Sequence, residues 1–438
     1  MNPADRETQK QQEPPSTAVR TAPPAHDPYR ALRYRDFRYL ITGGFIASIG
    51  EQMVNVAIGW ELYDRTGSAL VLGGVGLVQV IPVMLLALPA GHLADRLSRK
   101  YIVIVTQVIL ALASLALMAL SLTRGSLILI YGCLLLMGCA VAFNTPASTT
   151  LLPQTVPARD YENAATWESG SWQLAAVLGP ALGGFVIALF SRATLVYAAN
   201  AGASLVFVVL LVMLRGTPRR RDAMDPVHSG GATTLASLLE GVRFLKSTQV
   251  ILAAITLDMF AVLLGGATAL LPIYAKDILH VGPTGLGWLR AAPSVGAVAI
   301  SIVIAHAPPF KKAGRTLLWS VAGFGVATVI FGVSRSFWLS LLMLAMLGGL
   351  DNISVVIRST LLLTRTPDAL RGRIAAVNSI FIGASNQLGS FESGLAAQFF
   401  GPIIAVAGGG VGTILVVLCV ALLWPQMRRL GSINQENI

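Results

Sequence analysis

Long apolar runs alternate with short polar breaks along the chain between residues 38 and 425. A helix needs about 20 apolar residues to cross a bilayer, and twelve runs come close to that length or exceed it. Their approximate ranges are 38–61, 69–91, 101–122, 126–147, 165–189, 193–214, 249–274, 284–305, 316–334, 337–360, 374–399 and 402–425. The pattern therefore predicts an all-α integral membrane protein with twelve transmembrane helices.

The polar segments outside these runs suggest where the chain divides. Residues 1–28 are rich in Pro, Gln, Thr and Arg and contain no apolar stretch, which predicts a disordered tail. Residues 29–38 carry four arginines and predict a short amphipathic helix on the membrane surface. The longest connection, 215–248, contains leucines at helical spacing and predicts an interfacial helix between two halves.

An internal repeat supports this division. Residues 151–157 (LLPQTVP) align with residues 361–367 (LLLTRTP) at an offset of 210 positions. Both copies join an even-numbered span to the next odd-numbered one, as expected for parallel repeats. We therefore expect two pseudo-symmetric six-helix halves. The predicted units are an N-terminal half at 29–214, the linker at 215–248, a C-terminal half at 249–427 and a tail at 428–438.

Composition and charge agree with a membrane location. The 438 residues are 54% hydrophobic and 12% charged, whereas soluble domains carry about 25% charged residues. The net charge of +11 would suggest nucleic acid in a soluble protein. From residue 29 onward, 22 Lys and Arg residues fall on the side of the predicted termini and 5 on the other side. The positive-inside rule then predicts cytoplasmic termini and removes the reason to expect a nucleic-acid partner.

Three acidic residues fall inside predicted spans. At 1.5 Å of rise per residue, Asp258 lies about 14 Å into span 7, and Glu51 and Asp351 lie about 21 Å into spans 1 and 10. Ionisable groups at such depth are costly and usually functional. We expect them to bind a cationic substrate or a coupling proton, with Glu51 and Asp258 facing each other across the pseudo-symmetry axis. The alternative is a hydrogen-bonded structural acid at a helix bend.

Other charged residues allow several interpretations. Arg290 could bind an anionic substrate, pair with Glu392 or Glu51, or extend to the outer surface. Glu392 is a further candidate ligand late in span 11. Arg358 lies two turns after Asp351 and suits an anchor or a salt bridge in a gate. Glu61, Asp64 and Arg65 flank the first outer loop and are expected to be solvated.

The segment 91–100 (GHLADRLSRK) resembles the signature loop between helices 2 and 3 of the major facilitator superfamily of secondary transporters. The resemblance implies alternating access, a monomer, and a central cavity lined by spans 1, 4, 7 and 10. It also implies a conformational switch at Gly91, Asp95, Arg96 and Arg99. In that switch Asp95 would cap span 11 and pair with basic groups near its start.

Span 5 contains Gly179, Pro180, Gly183 and Gly184 in a Gly-Pro-x-x-Gly-Gly string, which resembles the antiporter motif of the superfamily. The alternative is plain close packing of small residues between helices. Drug–proton exporters often carry an arginine in span 4, but residues 134–138 (LLLMG) contain none. Proton coupling through that arginine cannot be transferred to this chain.

Residues 348–354, 366–373 and 386–394, together with 271–274, resemble the branch that contains enterobactin-type siderophore exporters, the transmembrane secretion effectors. The resemblance implies efflux of small molecules. The five histidines show no metal-ligand spacing, and there is no phosphate-binding loop, so we expect neither an enzyme nor a cofactor nor a bound metal.

The function predicted from the sequence is therefore proton-driven efflux of a small organic molecule, such as a siderophore, drug or metabolite, across a bacterial inner membrane. Uptake or uniport of a nutrient stays open because span 4 lacks the arginine. A third alternative is a membrane sensor or lipid-handling scaffold that transports nothing.

Overall fold

The computed structural model describes residues 27–215, 243, 245, 248–308, 310–367 and 370–431. Within them, the side chains of residues 87–88, 94–95, 371–373, 375–376 and 380 are not described. Of the segment 215–248, which was predicted to hold an interfacial helix, only residues 215, 243, 245 and 248 are described, and most of both predicted tails lie outside the described residues.

Twelve long helical segments account for most of the described chain. They are α1 Arg35–Thr66, α2 Ala69–Arg96, α3 Arg99–Thr123, α4 Leu127–Leu151, α5 Tyr161–Phe190, α6 Thr194–Val212, α7 Gln249–Leu264, α8 Gly282–His306, α9 Ala313–Val333, α10 Phe337–Arg365, α11 Arg371–Phe400 and α12 Pro402–Leu423. Ten of the twelve spans are long and apolar enough to cross a membrane. The other two, α1 and α11, have 32 and 30 residues but carry more polar side chains.

Span 7 is broken rather than continuous. After α7 the chain passes through a 3-10 turn at Ala267–Leu270, a helical turn at Leu271–Ile273 and a π-helical turn at Tyr274–Ile278. Two adjacent glycines at 265–266 and the proline at 272 weaken the helical hydrogen-bond ladder at this point.

The helix packing repeats between the two halves. In the first half α1 packs on α5 and α6, α4 on α2 and α3, and α3 on α6. In the second half α7 packs on α11 and α12, α10 on α8 and α9, and α9 on α12. Each helix of the first half thus corresponds to the helix six places later in the second half. The main contacts between halves are α2 with α11 and α5 with α8, and this correspondence turns one contact into the other. The molecule is therefore two pseudo-symmetric six-helix halves related by an approximate twofold axis.

The hydrophobic core is joined at one end of the bundle and divided at the other. We call the end that carries Arg35 and Leu423 the terminal end, and the opposite end the loop end. Near the loop end, one cluster of buried residues combines both halves, including Tyr63 and Tyr274. Near the terminal end, separate clusters belong to the first half and to the second half. Among the described residues, the two halves therefore pack against each other at the loop end and have separate cores at the terminal end.

Four polar residues link the halves at the loop end, and we call them the loop-end latch. Lys276 Nζ lies 2.6 Å from Asp64 Oδ1, and the Tyr63 hydroxyl donates to Asp277 Oδ2. Tyr63 and Asp64 lie in the last turn of α1, whereas Lys276 and Asp277 lie in the π-helical turn. The latch therefore joins span 1 to span 7.

Two predictions about helix ends are wrong. Residues 29–38 do not form a separate amphipathic helix, because the chain makes a 3-10 turn at Ala31–Arg33 and α1 begins at Arg35. Contacts with the start of α5 hold this segment, including an ion pair between Arg30 and Asp160 at 2.9 Å. The predicted loop at 91–100 is mostly helical, since α2 continues to Arg96.

Candidate functional site

A buried ion pair lies in the second half, between α7 and α10. Arg358 Nη1 pairs with Asp258 Oδ1, and the two residues are only 4% and 7% exposed. A buried charge that loses its partner is strongly destabilising. The pair therefore links α7 to α10, and each charged group relies on the other to offset the cost of its burial.

Asp351 lies beside this pair. It shares with Asp258 the lining of a small cavity of about 10 Å³, which is roughly the room for one water molecule. Ser354 also lines this cavity, and its buried hydroxyl has no hydrogen-bond partner among the described residues. The cavity thus brings together two carboxyl groups and an unsatisfied hydroxyl.

The charge of this cluster is unbalanced when all its groups are ionised. Asp258 and Asp351 carry two negative charges and Arg358 one positive charge. Burying a net charge is costly, so one bound proton, or one positively charged ligand group, would bring the cluster to neutrality. The arrangement can therefore hold a proton or a cation.

Local sequence explains how the cluster is assembled. Asp351 and Arg358 are seven residues apart, which places them two turns apart on one face of α10. Small residues let α10 approach α8, because a Cβ added at Gly348 would lie 1.9 Å from the carbonyl oxygen of Pro293. Asp258 lies on α7, which packs against the same helix.

Glu51 is exposed on α1, and no hydrogen bond or ion pair links it to Asp258 within the described chain. Neighbouring positions of its helix are tightly packed, since a Cβ at Gly50 would lie 2.5 Å from Asn200 Oδ1. The structure thus brings Asp258 and Asp351 together but does not join Glu51 to them.

Arg290 reaches from α8 towards α1, where its Nη2 would lie 3.7 Å from a Cβ added at Gly59. Its buried Nε has no hydrogen-bond partner in the described structure. It forms no ion pair there with Glu51 or Glu392. Glu392 instead accepts a long hydrogen bond of 3.5 Å from Ser393 Oγ.

The basic residues after the end of α2 bind helix ends of the first half. Arg99 Nη1 donates to the Thr150 carbonyl near the end of α4 at 3.1 Å, and Lys100 Nζ donates to the Leu214 carbonyl beyond α6 at 2.7 Å. Cations suit helix C-termini because the carbonyl groups there carry partial negative charge.

The other members of the predicted switch are less informative. Gly91 and Arg96 lie in the last part of α2. The side chain of Asp95 lies outside the described part of the chain, as do those at 371–373. The predicted role of Asp95 therefore stays a prediction.

The Gly-Pro-x-x-Gly-Gly string is a packing surface with two sides. Gly179 and Gly183 face α1, where added Cβ atoms would lie 2.4 Å from Gln52 Cβ and 3.0 Å from Met53 Cα. Gly184 faces α8 in the other half, where a Cβ would lie 2.4 Å from the Pro283 carbonyl oxygen. Pro180 is buried beside them. These residues therefore let α5 close against both α1 and α8.

Two features were missed from the sequence. The sequence indicated that Arg358 suits an anchor or a salt bridge, but not that its partner is Asp258, which lies on another helix. The expectation that Glu61 is solvated is wrong, since Glu61 is buried, pairs with Arg65 and accepts a 2.7 Å hydrogen bond from Tyr197. The four-residue spacing of Glu61 and Arg65 was visible, but Tyr197 comes from a distant helix.

Comparison with known proteins agrees with the fold. The model of the transmembrane secretion effector family matches residues 26–437. The chain is 25% identical to the multidrug efflux pump Tap of Mycolicibacterium fortuitum, over 89% of this chain and 96% of the pump. It is 26% identical to the enterobactin exporter EntS of Citrobacter koseri, over 90% of this chain and 92% of the exporter.

Solved structures show the same architecture. A bacterial homologue of the human lysosomal transporter Spinster, in an inward-facing and unoccupied conformation, superposes with a TM-score of 0.67 at 15% identity. The match covers 90% of this chain and 97% of the homologue. The family match, the repeated six-helix packing and the membrane-spanning helices lead to one conclusion: this chain is a multi-pass membrane protein of the transmembrane secretion effector family, a branch of the major facilitator superfamily of transporters.

Proposed function

We propose that this transporter exports a small organic molecule across the bacterial inner membrane in exchange for protons. The single observation that carries the proposal is the unbalanced cluster of Asp258, Asp351 and Arg358. A proton that binds there neutralises the cluster, and a proton that leaves restores its charge. A change of charge at a helix contact can bias one packing over another.

Proton exchange would act on the ion pair itself. A proton on Asp258 removes the partner of Arg358 and frees a buried guanidinium for another anion. Asp351 is the adjacent carboxyl and can receive the proton or the freed guanidinium. Whether Asp351 receives the proton or the guanidinium, the contact between α10 and α7 changes. A helix contact with two such arrangements is what alternating access needs.

The direction of transport and the orientation are supported by separate observations. Tap and the enterobactin exporter are exporters by name, which favours efflux of a drug, siderophore or related metabolite. The excess of Lys and Arg on the side of the termini favours cytoplasmic termini. With that orientation, the separated terminal end opens the central space to the cytoplasm, from which an exporter loads.

The test uses inverted membrane vesicles whose interior is acidic and contains a pH-sensitive dye. Siderophores, dyes and drugs are added one at a time outside. An exporter that exchanges protons should make the interior more alkaline when its substrate is added. The Asp351→Asn variant should lose this response while reaching the same level in the membrane.

Glu162→Gln is the matched control, because Glu162 is an exposed carboxyl at the terminal end of α5. It should respond as the wild type does. If compounds cross the membrane with no change in pH, proton coupling is wrong and facilitated transport or uptake replaces it. An unchanged response in Asp351→Asn would remove that residue from the coupling.

A further inference from the structure

A pocket of about 650 Å³ lies at the loop end of the first half, away from the cluster of Asp258 and Asp351. It lies where α1, α3 and α5 end and where α4 and α6 begin. Its lining includes Trp60, Arg65, Arg124 and Arg192, together with several serines. Neither the transport proposal nor the switch motifs use this pocket.

A buried polar network forms the floor of the pocket. Arg65 pairs with Glu61 and donates to the carbonyl groups of Gly125 at 3.1 Å and Leu120 at 3.2 Å. Tyr197 donates to the other oxygen of Glu61 at 2.7 Å. Because its partners satisfy each member, the network holds three helices in a fixed arrangement around the pocket.

The remaining charge in the pocket is positive. The charge of Glu61 is balanced by Arg65, and that of Asp64 by Lys276. Arg124 and Arg192 form no ion pair or side-chain hydrogen bond with the described residues. The pocket therefore presents two free guanidinium groups, which bind phosphate and carboxylate oxygens in pairs.

Among the helix ends at the pocket, the N-terminus of α6 adds to the positive charge of the two guanidinium groups. Ser126 and Ala193 line the pocket and precede the first residues of α4 and α6, but Ser126 already caps α4, since its Oγ accepts from the Ile128 N–H at 3.3 Å. Ala193 offers no side chain to cap the free amide groups of α6. Helix N-termini carry partial positive charge and unpaired N–H groups, which favour a bound anion.

The rim shows where such an anion would come from. Leu122, Ile128, Leu189 and Phe190 lie beside the pocket and are 53–80% exposed. These apolar side chains continue the lipid-facing surface of the helices up to the pocket. We propose that the pocket binds the phosphate headgroup of an anionic phospholipid from the outer leaflet, with the acyl chains against this rim.

The test follows binding to the purified full-length protein in detergent. Trp60 lines the pocket, so the difference in emission between wild type and Trp60→Phe reports on it. The titrants are dihexanoylphosphatidylglycerol, dihexanoylphosphatidylcholine and inorganic phosphate at constant ionic strength. Thermal melting in the same titrations gives a second readout, because a ligand that binds only the folded state raises the melting temperature.

We expect saturable binding of phosphatidylglycerol that Arg124→Gln and Arg192→Gln each weaken by about tenfold. Arg335→Gln, an exposed arginine at the loop end of the other half, should bind as the wild type does. Equal binding of phosphatidylcholine, or no effect of the two pocket substitutions, would overturn the proposal. Inorganic phosphate that binds as tightly as phosphatidylglycerol would replace the lipid by a free anion. No change in emission or melting with any titrant would also overturn it.

Discussion

At the scale of single residues, the buried Arg358 and the half-buried Arg65 organise the molecule in different ways. Arg358 has one carboxylate partner and a second carboxyl nearby, so its charge balance changes with one proton. Arg65 is held by Glu61 and by carbonyl groups that carry no titratable proton. We therefore expect the charge that changes during transport to lie at Arg358 and its carboxyl neighbours in the second half. The network around Arg65 in the first half is expected to keep its charge.

Asp258→Asn should lower the stability of the protein because it leaves Arg358 buried without a charged partner. Loss of one member of a buried ion pair costs roughly 3–5 kcal/mol. Thermal melting in detergent should show the loss, and the double variant Asp258→Asn with Arg358→Gln should recover part of it. Glu162→Gln should melt as the wild type does. A double variant less stable than Asp258→Asn alone would contradict the coupling of the two groups.

Residue-level prediction from the sequence succeeded in part. Asp258 and Asp351 stood out because a carboxyl inside an apolar run is costly, and they share one cavity in the structure. The partner of Arg358 could not be chosen from spacing alone, since Asp258 comes from another helix. Glu61 was misjudged for the same reason, because its burial depends on Tyr197, which lies 136 positions away.

At the scale of helices, the hydrophobic pattern determined the number of spans but not their ends. The apolar run of span 2 ends near residue 91, whereas α2 continues to Arg96. The glycines at 265–266 and the proline at 272 disfavour a continuous helix in span 7, but the sequence analysis predicted one unbroken span and no π-helical turn. The offset of 210 positions predicted the two halves, and the repeated helix packing has the same correspondence.

Gly184→Ala should disturb the contact of α5 with α8 because its Cβ would meet the Pro283 backbone at 2.4 Å. Backbone atoms cannot move aside cheaply, and overpacking costs about 1–3 kcal/mol. Transport should slow several-fold, and Leu286→Cys, at a buried position of α8, should become reactive to an impermeant maleimide at the loop end. Labelling is done after replacement of the three natural cysteines.

Gly170→Ala is the matched control on the same helix, since a Cβ there meets nothing within 4 Å. It should transport and label as the parent protein does. If Gly184→Ala behaves in the same way as Gly170→Ala, the string in span 5 is not needed for closure at the loop end.

At the scale of the whole molecule, the two ends of the bundle differ. One hydrophobic cluster and the loop-end latch join the halves at one end, while the terminal end has separate clusters. Closure at the loop end is therefore an interaction between halves that can be weakened without removing the core of either half. This asymmetry could not be predicted from the sequence, because it depends on which of two packings the halves adopt.

Asp64→Asn combined with Asp277→Asn should shift the molecule towards opening at the loop end. An exposed ion pair contributes about 0.2–1 kcal/mol and a hydrogen bond to a charged group about 1.5–3 kcal/mol. Their loss should raise the labelling rate of Leu286→Cys from the loop end by about tenfold or more. Asp36→Asn, at the opposite end of α1, should leave the rate unchanged. An unchanged rate in the double variant would show that the latch does not hold the halves together.

The central claim is that protons drive export through the cluster of Asp258, Asp351 and Arg358. The most direct measurement compares two kinds of transport in inverted vesicles for a substrate identified by the panel. One is accumulation driven by an acidic interior, and the other is exchange of labelled for unlabelled substrate at equal pH. Asp351→Asn should lose the accumulation and retain the exchange, because it still binds and moves substrate. Accumulation by Asp351→Asn at the wild-type level would contradict the account.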